Sequence, residues 1–144
     1  MNILLVEDND VDVEILKRSL DKIDAEASLL RARDGVEALE MLVRDASKIT
    51  SPDRYVILLD INMPRMNGYE FLNELRSHDA LKTATVFVFT TSASQSDIDR
   101  AYKHLANGYI VKPDTFSGMR DILEALRRFW ELCKHPSEAA ISNA

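Results

Sequence analysis

Five short apolar runs, each ending abruptly in polar residues and each followed by a stretch of helical periodicity, constrain this chain more than any other feature. The runs are Ile3 to Val6, Ala27 to Leu30, Tyr55 to Leu59, Thr85 to Phe89, and Tyr109 to Val111. Each has strand length and is bounded by turn or charged residues. Their apolarity is continuous rather than alternating, which suits strands covered on both faces, as in a parallel sheet. Between them lie helical stripes. Val11, Ile15, Leu16, Leu20 and Ile23 form the first, and Val36, Leu39, Leu42 and Val43 the second. A short third spans Gly68 to Arg76 with Phe71, Leu72 and Leu75, and Ile98, Ala101, Tyr102 and Leu105 make the fourth. The longest holds Met119, Ile122, Leu123, Leu126, Phe129, Trp130 and Cys133. Five successive β–α units predict a doubly wound α/β sheet. The stretch 46–53 reads as a surface loop and 135–144 as a loose tail.

At 144 residues the chain suits one domain with a proper core. A net charge of −6 argues against bulk electrostatic binding to nucleic acid or to an anionic membrane. No run approaches the length of a membrane span, and "MNILLVEDND" turns acidic too early for a secretory signal. The single cysteine, Cys133, allows no internal disulfide and reads as a helix-packing thiol, so a cytoplasmic protein is expected. His78, His104 and His135 are scattered without metal-ligand spacing.

In a doubly wound sheet the working site lies at the carboxyl ends of the strands. Glu7 and Asp8 follow the first strand, Asp60 the third, Thr90 and Thr91 the fourth, and Lys112 with Pro113 the fifth. Three clustered carboxylates repel one another unless a cation compensates, and a hard divalent ion such as Mg²⁺ does so with oxygen ligands. Asp60 would then be a metal-bound carboxylate able to attack phosphorus, with Lys112 stabilising charge on the transferred oxygens. Each residue also has a plainer reading. The acidic pair suits a solvated turn, Asp60 a helix cap, Lys112 a surface position and Thr90 a local turn hydrogen bond. The combination, one group per strand end, is more specific than any member.

"ILLVEDN", "LLDINMPRMNGYEFL", "VFVFTTS" and "GYIVKP" resemble, in order and spacing, the receiver domain of two-component response regulators, the single-domain CheY-like kind included. The resemblance spans residues 1–130 and leaves 131–144 as a C-terminal extension. It implies a flavodoxin-like (βα)5 fold, a five-stranded parallel sheet of order 2-1-3-4-5. It further implies that Asp60 is the phosphoacceptor and that Glu7, Asp8, Asp60 and the backbone carbonyl of Asn62 hold Mg²⁺, with Mn²⁺ as a possible substitute. Thr90 and Tyr109 match the switch pair and Lys112 the lysine of the site; the Lys112–Pro113 bond is expected to be cis. Asn62 and Ser92 match positions that tune hydrolysis. The reaction implied is phosphoryl transfer from a phosphohistidine of a sensor kinase docked on the first helix, then slow self-catalysed hydrolysis, rather than conventional enzyme turnover.

Only 31 residues follow Pro113, so no output domain is expected and the output should be a protein contact. "FW" at Phe129 and Trp130, with a proline-containing extension, resembles the regulators paired with phytochromes. This implies a bacteriophytochrome as kinase, and a homodimer formed through the fourth helix, fifth strand, fifth helix and extension. The two aromatics equally suit a role covering the core. A haloacid-dehalogenase-type phosphohydrolase fits worse, because it wants an aspartate where Asn62 stands and a nucleophile on the first strand. A phosphate sink and an interaction module without phosphorylation stay open at this stage.

Overall fold

A computed structural model describes residues 1–24, 26–43 and 52–136. The five strands are β1 (Asn2–Val6), β2 (Ser28–Ala32), β3 (Val56–Leu59), β4 (Thr85–Thr90) and β5 (Gly108–Val111). They alternate with α1 (Asp10–Ile23), α2 (Gly35–Val43), α3 (Gly68–Ser77), α4 (Gln95–Lys103) and α5 (Phe116–Leu132). All pairings are parallel and the order is β2-β1-β3-β4-β5, as expected. The expected loop at 46–53 falls mostly outside the described residues, as does most of the tail.

Two cores lie on the two faces of the sheet, and the period-2 pleat sorts neighbouring residues between them. Leu4, Val6, Ile57, Leu59, Val86 and Val88 face α2, α3 and α4, whose Met41, Phe71, Leu72 and Ala101 complete that core. Ile3, Leu5, Val56, Leu58 and Phe89 face α1 and α5, with Leu16, Leu20, Leu123 and Leu126. Continuous apolarity therefore means burial on both faces for the inner strand β3, where every residue is buried, but not for the edge strands β2 and β5.

Several element boundaries differ from expectation for identifiable reasons. β2 begins at Ser28 and runs on to Ala32, because its backbone pairs with β1 out to Val6, past the end of its apolar run. In α1, Val11 stands 66% exposed in the first turn. In α2 the buried stripe is Ala38, Met41 and Leu42, while Val43 faces solvent. The fourth helix ends at Lys103, so Leu105 lies outside it. The Ala106 N–H bonds to the Ala101 carbonyl at 3.1 Å and the Leu105 N–H to the Tyr102 carbonyl at 3.0 Å, the pattern of a Schellman cap. That cap requires a left-handed residue at its turn, and Leu105 adopts φ 66° there with its side chain 63% exposed.

α3 enters the sheet edge unusually closely. Its N-cap Asn67 forms a reciprocal capping box with Glu70. A Cβ on Gly68 would lie 2.7 Å from the Asp60 carbonyl oxygen and 2.7 Å from the Ile61 Cα. Only glycine lets the first turn of α3 close onto the end of β3, where its N–H bonds to the Ile61 carbonyl at 3.1 Å.

Candidate functional site

The carboxyl ends of β1, β3, β4 and β5 converge as the sequence predicts. Glu7, Asp8 and Asp60 bring one carboxylate oxygen each to within 4.8 Å of one another, the single such cluster among the described residues. Glu7 and Asp60 are buried and Asp8 is open to solvent. Three hard oxygen donors with one solvent-facing member fit a divalent ion that keeps part of its water shell. Asn62 lies next to them, its N–H 3.4 Å from Asp60 Oδ1.

Lys112 follows β5, anchored by a 2.7 Å bond from its N–H to the Thr90 carbonyl. Its ammonium donates to Glu7 Oε2 at 2.6 Å and to Asp12 Oδ2 at 2.9 Å. Asp60 Oδ2 stands 3.7 Å away, close enough for Coulomb attraction but beyond hydrogen-bond reach. Burial pulls the Lys112 ammonium down in pKa, and the bonds to Glu7 and Asp12 outweigh it, leaving the group above its ordinary value. Burial pushes Glu7 up to about 7 against the pull of Lys112.

Thr90 ends β4 with its Oγ1 buried and without a hydrogen-bond partner. A buried hydroxyl left unpaired costs about 1–3 kcal/mol, so its place at this edge points to a partner that arrives from outside. Tyr109 is half-buried and donates its hydroxyl to the Ser92 carbonyl at 2.8 Å, tying β5 to the segment after Thr90. The Lys112–Pro113 bond is trans, against expectation; no cis peptide occurs among the described residues. X–Pro isomers differ by only about 0.5–1 kcal/mol, and the Lys112 contacts form with the trans bond in place.

Phe129 and Trp130 separate. Phe129 is 42% exposed, edge-on to Phe87 with ring centroids 5.8 Å apart. Trp130 is partly buried against the α1–α5 core, and its ring lies 4.1 Å from that of His135, centroid to centroid, tilted by 33°.

Several supports of the site carry little signal in the sequence. Asp12 is one; its only signal is a carboxylate in the first turn of a helix that starts beside the site. Arg31 donates Nε to the Glu7 carbonyl at 2.8 Å and pairs with Asp10. Asp34 accepts the Glu37 N–H at the start of α2 and a two-pronged Arg65 guanidinium at 2.6 and 3.1 Å, bracing the β3–α3 loop. Burial raises the Asp34 carboxyl, but Arg65 and the backbone N–H groups of Glu37 and Val36 hold it below its ordinary value. Asp97 at the start of α4 accepts from Ser92 Oγ at 2.6 Å and Tyr69 Oη at 2.7 Å, which lower its pKa.

This sheet order, with an acidic cluster, a lysine and a threonine at one strand edge, defines the receiver class of signalling proteins. Residues 3–126 match the response regulator receiver domain, and the chain belongs to that family. Among curated relatives, a probable methanogenesis regulatory protein FilR2 of Methanothrix harundinacea is 32% identical over 89% of this chain and 82% of its own. Response regulator Rcp1 of Synechocystis is 31% identical over 89% of this chain and 87% of its own. Among solved structures, the phosphorylated cyanobacterial phytochrome response regulator RcpA superposes with a TM-score of 0.83 at 33% identity, covering 94% of this chain and 98% of that one. The Mn²⁺-bound form of Rcp1 gives 0.79 at 30% identity, covering 94% and 99%. Receiver domains bind a divalent metal and interact with histidine kinases. Among the described residues no helix is long and apolar enough to cross a membrane.

Proposed function

We propose that this receiver is switched by phosphorylation of Asp60. The observation that carries the proposal is the Lys112 ammonium, 3.7 Å from Asp60 Oδ2 beside the Glu7–Asp8–Asp60 cluster. Glu7, Asp8, Asp60 and the Asn62 carbonyl would hold Mg²⁺, or Mn²⁺ in its place. The ion supplies neutralisation of the charge that gathers on the transferring phosphoryl oxygens. An Asp60 carboxylate oxygen attacks phosphorus on the kinase's phosphohistidine. The P–N bond breaks, and its electron pair goes to the protonated imidazole, which leaves neutral. Lys112 faces one phosphoryl oxygen, and the unpaired Thr90 hydroxyl donates to another. Thr90 movement is relayed through the Ser92 carbonyl to Tyr109, which couples the site to α4 and β5.

The protein acts in the cytoplasm through contacts with other proteins. RcpA is by its description a phytochrome response regulator, which supports a bacteriophytochrome as the kinase here, docking on α1. A homodimer through α4, β5, α5 and the C-terminal extension is supported by an apolar groove of about 540 Å³ between α5 and the sheet edge, with Phe129 at its rim. Tyr102, Leu105 and Val111 are exposed on the α4–β5 side.

The test is intact-mass analysis with acetyl phosphate and Mg²⁺, run alongside light scattering. The expected result is one added phosphoryl group, absent without Mg²⁺ and absent in Asp60→Asn, with a dimer in solution. Persistent labelling of Asp60→Asn would overturn the site assignment, and a monomer in both phosphorylation states would remove the dimer.

A further inference from the structure

We propose that Asp12 positions Lys112 for phosphoryl transfer by holding its ammonium off Asp60. The inference rests on the reading of Asp60 as phosphoacceptor. An ammonium has three N–H bonds in fixed tetrahedral directions. Two are taken, by Glu7 Oε2 at 2.6 Å and Asp12 Oδ2 at 2.9 Å. With Nζ tethered on both sides, Asp60 Oδ2 stays at 3.7 Å. Asp60 therefore feels the positive charge without donating a lone pair to it. Its oxygens stay free for attack on phosphorus, and the third N–H of Lys112 stays free for a phosphoryl oxygen.

The local chain makes Asp12 suited to this. Asn9 caps α1, accepting the Val11 and Asp12 N–H groups on its side chain at 2.9 and 3.1 Å. The Asn9 N–H in turn donates to Glu7 Oε1 at 3.1 Å. One tight turn thus fixes both carboxylates that grip the lysine. Asp12 is not a member of the cluster suited to a metal, and its side chain is 36% exposed where that of Lys112 is only 9%. It can grip the lysine while the metal ligands exchange protons, ions and phosphate around it.

Without Asp12, the freed N–H has Asp60 as its next carboxylate within 4 Å among the described residues, at 3.7 Å. A lysine bonded directly to the nucleophile ties up one of its oxygens and must be displaced before transfer. Charge removal alone would act the other way, since one carboxylate fewer repels the incoming phosphate less. Two substitutions separate the effects. Asp12→Asn removes the charge and keeps an oxygen acceptor; Asp12→Ala removes both.

The experiment measures the rate of phosphorylation by acetyl phosphate for wild type and both variants, together with the ¹⁵N–¹H resonance of the Lys112 ammonium in metal-free, unphosphorylated protein. Lys112→Met assigns the resonance, and thermal unfolding reports folding. The expected result is an Asp12→Ala rate roughly tenfold below wild type, the scale of a misplaced catalytic group. Asp12→Asn should stay within about threefold of wild type, on the scale of one neutral hydrogen bond. The Lys112 resonance should shift in Asp12→Ala. An Asp12→Ala rate equal to or above wild type, or an unshifted Lys112 resonance, overturns the proposal. If no variant and not even wild type accepts a phosphoryl group, the reading of Asp60 fails, while the resonance still decides whether Asp12 places the lysine. Should Asp12→Ala not fold, Asp12→Leu, which keeps the shape of the side chain without an acceptor, takes its place with the same expectations.

Discussion

Gly68→Ala should damage stability and phosphorylation together, because one contact serves both. The added methyl would sit 2.7 Å from the Asp60 carbonyl oxygen and from the Ile61 Cα. Carbon atoms pack without repulsion at about 3.5–4.0 Å, so one side must retreat by about 0.8 Å. Both obstacles are backbone, which cannot swing aside as a side chain would. Overpacking of this kind costs about 1–3 kcal/mol, and the better helix propensity of alanine returns at most about 1 kcal/mol. The net loss is about 1–2 kcal/mol, a drop in Tm of about 3–8 °C for a chain of this size. If the chain yields at Asp60 rather than at α3, the nucleophile is displaced by several tenths of an ångström. Phosphorylation by acetyl phosphate should then slow by about tenfold or more. Thermal unfolding by circular dichroism and intact-mass time courses measure the two effects. A Gly68→Ala variant with wild-type Tm and wild-type phosphorylation rate would refute the close approach of α3 to the end of β3.

Arg76 donates to the carbonyls of Leu105, Lys82 and Ala84 at 3.0, 2.9 and 2.6 Å and to Asn107 Oδ1 at 3.0 Å, and burial lowers its pKa. Arg76→Met should therefore cost about 2–3 kcal/mol in chemical denaturation, and a loss below about 0.5 kcal/mol would show that water replaces the guanidinium. Leu105→Gly should raise the midpoint by relieving the φ 66° turn, gaining about 0.5–1 kcal/mol; a lower Tm would show that the exposed leucine contributes packing. Glu7 governs a pH effect. Its pKa is raised from 4.5 to about 7 by burial, so the folded metal-free protein binds this proton more tightly than the unfolded chain. Its contribution to stability is present below about 4.5 and is lost as pH rises to about 7. Urea midpoints between pH 5 and 7.5 should fall with rising pH in wild type and flatten in Glu7→Gln. Added Mg²⁺ should offset the fall by favouring the ionised carboxylate, and a wild-type midpoint that rises across this window would contradict the burial of Glu7.

The fold and most of the site could be read from the order of residues. Apolar runs of strand length alternating with 3.6-residue stripes leave one economical arrangement, and in it each strand must deliver its following residue to a common edge. Glu7, Asp8, Asp60, Thr90 and Lys112 were legible for that reason. Element ends were less so, because they depend on backbone pairing: β2 extends through Arg31 since β1 offers hydrogen-bond partners there, and α4 stops before Leu105 because its cap takes the Leu105 and Ala106 N–H groups.

What the tertiary structure alone decided concerns groups brought together from distant parts of the chain. Asp12 and Lys112 are 100 residues apart, and no local pattern in either segment specifies their ion pair. Arg76 serves carbonyls on either side of β4, and Asp34 braces a loop 31 residues onward. The division of Phe129 from Trp130 follows from helical rotation, which turns adjacent positions by about 100° so that one meets the core and the other the groove. Local sequence determines which faces and edges exist, because hydrophobic burial and backbone pairing act on short repeating patterns. Charge partners and exposed rims are decided only when the closed sheet fixes distances, since electrostatic and hydrogen-bond energies turn on differences of less than an ångström.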